Sequence, residues 1–207
     1  KIALIFALFG YGNAHQIVKF LTSLDFSLLQ KDEVTIKKAL KPYYYRFQKP
    51  DDVIALFLAL QKIDSLEEVF YKGYKKDESV LEGIQTLINE IHLQAAHSSK
   101  GFDFLVGKKS ETPSKSSTYK RMNMYLRWMV RKDCLDMGLW SRVDKKDLLI
   151  PLDTHTFNVA KKLRLLKRKS YDLKAVLELT QTLKGFCEDD PIKYDFALYR
   201  IGQEKLL

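Results

Sequence analysis

Apolar residues recur at three-to-four-residue spacing along almost the whole chain, and this pattern predicts an all-α protein. Between the apolar patterns, a stretch rich in Ser, Lys, Gly and Thr, residues 95–117, predicts a linker or mobile loop, with Pro113 inside it. The predicted helices lie at 2–9, 14–24, 34–47, from Pro50, from Ser65, at 80–91, from Lys120, after Asp153, at 172–183 and after Tyr194.

Lys120 opens one of these patterns, with Met122, Leu126 and Met129 on its apolar face, while Asn123 and Arg127 fall off that face. A lysine in the first turn of a helix is repelled by the positive end of the helix dipole, so its neutral amine is easier to form. A neutral amine is the nucleophile of imine-forming enzymes. The plain alternative is one solvated lysine among many.

Asp153 stands directly before another apolar pattern, in which Phe157, Ala160, Leu163 and either Leu165 or Leu166 form the predicted buried side. Aspartate is a preferred N-cap, which is the structural interpretation of this residue. A carboxylate here is also suited to stabilise positive charge on a substrate whose glycosidic bond is breaking.

Three motifs in this order carry a resemblance to a known family. Lys120 is followed at three residues by Asn123, then by LDTHTF at 152–157 and YDFALYRIG at 194–202. The order resembles the helix-hairpin-helix DNA glycosylase superfamily, the group that contains endonuclease III. The resemblance implies that Lys120 attacks C1′ of a damaged nucleotide and that Asp153 assists.

The 33-residue gap between Lys120 and Asp153 is most similar to the archaeal-type 8-oxoguanine branch, usually called AGOG, with 127–150 as the added segment. The resemblance therefore implies a bifunctional 8-oxoguanine DNA glycosylase and AP lyase. It also implies a monomer that acts on double-stranded DNA without metal or cofactor. The implied fold is a single glycosylase domain of two helical lobes, 20–105 and 1–19 plus 106–207, with a base-binding cleft between them.

Two features depart from that family. The hairpin before the lysine helix, residues 115–119, contains no glycine, so its phosphate contacts are expected from the hydroxyls of Ser117 and Thr118 instead. The four-cysteine iron–sulfur cluster of endonuclease III is also missing, because the chain has two cysteines, Cys134 and Cys187.

The last predicted helix carries Asp195, Tyr199 and Gln203 at intervals of four, so the three share one face. A carboxylate and an aromatic ring suit a flipped purine, and the resemblance implies that these residues line its pocket, with Met124 beside the base. The alternative is a helix whose tyrosines are core and whose Asp195 caps the helix or forms a salt bridge.

The net charge of +9 favours a polyanionic partner. Six cations lie within nine positions, 161–169, and beside a DNA site they are interpreted as a phosphate-binding surface; the alternative is a solvated face. Further DNA contacts are expected from Arg121, His155 and Lys161.

The turn at residues 10–13 is the second place where DNA contact is expected, because the resemblance implies that Tyr11 or Asn13 fills the gap left by the flipped nucleotide. A glycine-rich helix–helix turn with a packed tyrosine is the alternative. The aromatic cluster at 43–47 is interpreted mainly as core, although its rings and Arg46 also suit base stacking.

Composition excludes several classes. The longest apolar run, residues 2–9, is far below the ~20 residues of a membrane span, and two distant cysteines predict an intracellular protein of the cytoplasm or nucleoid. The four histidines show no metal-ligand spacing. Two competing hypotheses remain: a glycosylase of this superfamily for another damaged base, and a helical DNA-binding protein without catalysis.

Overall fold

The computed structural model describes residues 1–115 and 117–207. These residues form eleven α-helices, three short 3-10 helices and isolated bridges, without a regular β-strand among them. The prediction of an all-α protein is confirmed. The chain divides into two compact units, Lys1–Pro113 and Ser114–Leu207, and the lobe boundaries implied by the resemblance stay a prediction.

The first unit is built around helices whose apolar faces are almost fully buried. α6 packs against α4 and α5, and the side chains of Phe57 and Phe70 are completely enclosed. Each such ring contributes roughly 1.5–3 kcal/mol by its removal from water. The helices are α1 (Ile2–Phe9), α2 (Ala14–Ser23), α3 (Glu33–Leu40), α4 (Pro50–Lys62), α5 (Leu66–Tyr74), α6 (Val80–Ala95) and α7 (Lys100–Val106).

One expectation for this unit was wrong, and another was right only in part. The helix predicted over 34–47 ends at Leu40, because Pro42 prevents its continuation, and the cluster beyond it is divided. Tyr45 is buried there, whereas Tyr44 and Phe47 are exposed.

The division between the two compact units falls within the predicted linker over 95–117, after Pro113. The same stretch also contains α7, which buries Phe102 and Leu105 and is capped by Ser99. A seven-residue helix spans barely two turns, so its apolar periodicity was too short to outweigh the polar composition around it.

The second unit contains α8 (Lys120–Val130), α9 (Thr154–Lys162), α10 (Leu173–Lys184) and α11 (Asp195–Gln203). α9 packs on α11 at Gly202, where an added Cβ would lie 2.9 Å from Cβ of His155. Leu163 was predicted on the buried side of α9, but it is exposed because the helix ends at Lys162.

Between α8 and α9 the chain is mostly irregular, with one 3-10 turn at Lys145–Asp147. It folds back on α8, since the amide of Met137 donates to the carbonyl of Trp128 at 2.8 Å. It is also tied to α10, because the amide of Ile150 donates to Oγ1 of Thr180 at 3.1 Å.

In the part of the chain that the structure describes, every helix is too short or too polar to cross a bilayer.

Candidate active site

Lys120 is the first residue of α8 and is half-buried. Tyr119 before it takes left-handed backbone, with φ of 49°, a conformation that is uncommon for a bulky residue. Burial lowers the pKa of Lys120, the positive charge of Arg121 lowers it further, and the negative charges of Asp153 and Asp195 oppose both effects. Lys120 therefore has an amine that loses its proton more readily than an exposed lysine does, and two carboxylates act on its charge.

Asp153 is the N-cap of α9, as predicted, and its Oδ1 accepts from the amide of Thr156 at 2.8 Å. The segment before it is anchored because the hydroxyl of Tyr171 donates to the carbonyl of Leu152 at 2.7 Å. The charge of Asp153 raises the pKa of Lys120, of Asp195 and of Tyr171. The structure thus brings Asp153 into the electrostatic environment of Lys120, although 33 positions separate them in the chain.

Asp195, the first residue of α11, is buried, with 6% of its surface exposed. Its Oδ2 accepts from Nη1 of Arg127 at 2.5 Å, so the alternative of a salt bridge is present. Burial raises the pKa of Asp195 to about 6, in spite of the opposing charges of Arg127 and Lys120. Its predicted contact with a base stays a prediction, and such a contact would share the carboxylate with Arg127.

Arg127 is the inner member of an ion chain that sequence reasoning missed. Its Nε donates to both oxygens of Asp136, at 3.1 and 3.2 Å. Arg131 donates to Asp136 in turn, and its Nε donates to Asp190 at 2.9 and 3.1 Å. We call Asp195, Arg127, Asp136, Arg131 and Asp190 the ion chain. It runs from the surroundings of Lys120 to Asp190, just before α11, and charges of alternating sign lie along it.

Two buried polar atoms lie beside the starts of α8 and α9. Nδ2 of Asn123 donates to the carbonyl of Thr118 at 3.1 Å, whereas Oδ1 of Asn123 and Oγ1 of Thr156 have no hydrogen-bond partner among the described residues. Asn123 follows Lys120 by three residues, and Thr156 follows Asp153 by three. Buried groups without partners are rare and cost about 1–3 kcal/mol each, so these atoms mark polar positions next to both predicted catalytic residues.

The residues predicted to contact a base differ in exposure. Tyr199 is half-buried and its ring stands edge-on to that of His155, with centroids 6.0 Å apart, while His155 itself is exposed. Met124 is half-buried and Gln203 is exposed. The face of α11 that carries Asp195, Tyr199 and Gln203 therefore passes from the buried site toward solvent, and their contacts with a base stay predictions.

The hydroxyls predicted to hold phosphates have partners within the protein. Thr118 is buried, and its Oγ1 donates to the hydroxyl of Tyr171 at 3.4 Å. Oγ of Ser117 accepts from the amide of Tyr119 at 3.1 Å. The phosphate contacts of Ser117 and Thr118 stay predictions, and Ser116 of the same hairpin lies outside the described residues.

The predicted cationic surface begins with Lys161, whose Nζ lies 5.5 Å from the centre of the Phe157 ring. Arg168 at its far end is paired with Asp172, since its Nε donates to Oδ1 at 2.6 Å. Part of the positive charge in 161–169 is therefore compensated within the protein. Arg121 is half-buried, and its predicted DNA contact, like that of Lys161, stays a prediction.

Tyr11 and Asn13 lie in the first unit, in the turn between α1 and α2. Oδ1 of Asn13 caps α2 by accepting from the amides of His15 and Gln16, at 3.0 and 3.4 Å. The hydroxyl of Tyr11 donates to the side chain of Gln48. Both side chains thus have structural partners, which favours the packed-turn interpretation, and their DNA contacts stay predictions.

Replacing Asn13 separates the two interpretations of this turn. We expect Asn13→Ala to lower the free energy of unfolding by about 1 kcal/mol, because the amides at the start of α2 lose their acceptor. Asn13→Ser keeps an N-cap and is expected to retain nearly all of the stability in urea unfolding. If Asn13→Ser keeps its stability but loses affinity for duplex DNA, the side chain contacts DNA as well.

Among residues 1–115 and 117–207, we find no group of three or more His, Cys, Asp or Glu side chains arranged to hold a metal ion. Both cysteines are free thiols.

A family model described as "Protein of unknown function (DUF2400)" matches residues 1–204, which is nearly the entire chain. No curated protein matches the chain, and no solved structure does.

Proposed function

We propose that this chain, which belongs to the family described as "Protein of unknown function (DUF2400)", is a DNA glycosylase with AP lyase activity that removes 8-oxoguanine through an imine on Lys120. The lesion and the reaction come from the resemblance of the three sequence motifs. The resemblance also supplies the expectation of two helical lobes with a base-binding cleft.

One observation carries the proposal: Lys120 is a partly buried lysine with a lowered pKa, and the charge of Asp153 acts on it. A nucleophilic lysine needs a substantial neutral fraction near neutral pH, which burial favours. A carboxylate close to it is what a breaking glycosidic bond requires. Most lysines are solvated and charged, so this combination supports a chemical role more than a structural one.

In the proposed reaction the neutral Nζ of Lys120 forms a bond to C1′ while the bond from C1′ to the base breaks, and the base leaves with the electron pair. The carboxylate of Asp153 stabilises the positive charge that develops on the sugar. Nζ then loses a proton, the C1′–O4′ bond breaks as the nitrogen lone pair forms the C=N bond, and O4′ takes up a proton, which gives a protonated imine and an open sugar. Loss of a C2′ proton forms a C2′–C3′ double bond and expels the 3′ phosphate, so the strand is cut.

The base is proposed to lie against the exposed part of α11, with Tyr199 as the stacking surface and Met124 beside it. A base can reach these groups only after rotation out of the duplex. Arg121, His155 and Lys161 are proposed to contact the phosphates of double-stranded DNA, because Arg and Lys cations supply a large share of the affinity in such complexes and an imidazole N–H can donate to a phosphate oxygen.

Borohydride trapping tests the proposal directly. We expect the protein to form a covalent adduct with a duplex that carries one 8-oxoguanine, because borohydride reduces the imine to a stable amine. The undamaged duplex of the same sequence should give no adduct. Absence of any adduct, together with release of no base, would contradict the proposed function.

The same assay separates the two competing hypotheses. Adducts with oxidised pyrimidines or release of alkylated bases from a panel of single-lesion duplexes, without reaction at 8-oxoguanine, would keep the chemistry and change the substrate. Tight binding of duplex DNA with no base release on any lesion would favour a DNA-binding protein without catalysis.

A further inference from the structure

The ion chain reaches the surroundings of Lys120 through α8 itself. Lys120 and Arg127 are seven residues apart, so they lie on one face of the helix, about 10.5 Å apart along its axis. Arg127 binds Asp195, and the charge of Asp195 acts on Lys120. A carboxylate from another helix, whose charge acts on the lysine, is therefore held by a guanidinium two turns along the lysine's own helix.

The groups that act on Lys120 come from three elements. Asp153 before α9 and Asp195 on α11 favour its charged form, and Arg121 on α8 disfavours it. Asp195 is influenced in turn by Arg127, Asp153 and Lys120. Asp153 has a separate structural task as the cap of α9, whereas the side chain of Asp195 is held by its hydrogen bond from Arg127 in the ion chain.

We propose that Asp195 is a positioning residue that sets the neutral fraction of Lys120, and that Arg127 acts on the lysine through Asp195. This inference rests on the proposed function, and it gives Asp195 a task that does not depend on the identity of the excised base. The irregular segment after α8 contributes as well, because it supplies Asp136, which accepts from Nε of Arg127.

The direction of the effect follows from the charges. An ionised Asp195 favours the ammonium form of Lys120, so its removal lowers the pKa of the lysine. The pKa of Asp195 itself is raised to about 6, above its ordinary value of 3.8. Folding therefore favours the protonated form of Asp195. This contribution to the free energy of unfolding is complete below about pH 4 and is lost as the pH rises through 6, so the free energy of unfolding of wild type should fall relative to that of Asp195→Asn over this window.

The test uses duplex DNA with an abasic site, which has no base for Asp195 to contact. The rate of borohydride trapping should rise with pH as Lys120 loses its proton. For Asp195→Asn we expect this rise at a lower pH, with about tenfold faster trapping on the rising part of the curve. An unchanged curve would overturn the inference and leave Asp195 with its ion pair to Arg127 and the proposed base contact. The exposed Asp189→Asn is the matched control and should match wild type.

A double-mutant comparison tests the part of Arg127. Arg127→Met should move the pH curve in the wild-type background and leave it unmoved in the Asp195→Asn background, because its effect passes through that carboxylate. Equal shifts in both backgrounds would show that Arg127 acts on Lys120 directly and would overturn this part.

A second readout does not depend on activity. Lysines methylated reductively with 13C-formaldehyde give NMR signals that follow their protonation, and the Lys120 signal is identified by its loss in Lys120→Gln. Asp195→Asn should lower the pH at which this signal titrates. If the protein fails to trap DNA but Asp195→Asn shows this shift, the proposed function is wrong and the electrostatic link between Asp195 and Lys120 stands. If the protein traps DNA but the shift is absent, the proposed function stands and the electrostatic link is wrong.

Discussion

Replacing Lys120 with glutamine is expected to lower the yield of borohydride-trapped adduct on 8-oxoguanine and abasic-site duplexes by roughly 10³-fold or more. Glutamine has nearly the length of lysine but no nucleophilic amine, so no imine can form at this position. The adduct is measured as the fraction of labelled DNA that migrates with protein after denaturation. Binding to the same duplexes should persist, since the cations at 161–169 are untouched.

The matched control is Lys174→Gln. Lys174 also lies in the first turn of a helix in the second unit, α10, but it is exposed. It should trap DNA like wild type, which shows that the loss is specific to Lys120 and not to any helix-terminal lysine. An undiminished adduct in Lys120→Gln would mean that another amine reacts, and the assignment of the nucleophile would be wrong.

Asp153→Asn is expected to slow base release by about 10²–10³-fold, the scale of losing one preorganised electrostatic group. Asparagine caps helices about as well as aspartate, so the fold and the start of α9 should be retained. The pKa of Lys120 should fall, because a carboxylate that raises it is gone. Single-turnover kinetics over a pH series would then show a lower maximum rate reached at lower pH.

Asp32→Asn provides the comparison for this variant. Asp32 caps α3 in the same way, with its Oδ1 accepting from the amide of Thr35 at 3.0 Å. It lies in the first unit, far from Lys120 along the sequence. Its exchange should change neither rate nor pH dependence. Equal activity of wild type and Asp153→Asn would support the hypothesis of a DNA-binding protein without catalysis.

Local features of this fold could be predicted from the sequence because they depend on neighbouring residues. The bounds of α1, and the caps at Ser65 and Asp153, follow from spacing and capping chemistry within a few positions. The error over 34–47 was also local, because Pro42 was outweighed by the aromatic residues that follow it.

The ion chain could not be predicted in the same way. Arg127 falls off the apolar face of α8 and was assigned no partner, yet it is buried because Asp136 and Asp195 bind it. Asp195 lies 68 positions away, and nothing in the local pattern links the two. The proximity of Lys120 and Asp153 was expected only through the resemblance, since spacing along the chain carries no information on contact over 33 positions.

The ion chain also affects how the candidate site responds to heat. Charged groups lose favourable hydration as temperature rises, so the cost of burying Arg127 with Asp136 and Asp195 diminishes on warming. Apolar packing gains no comparable advantage. The surroundings of Lys120 should therefore keep their arrangement at temperatures where the purely apolar parts of the molecule begin to loosen.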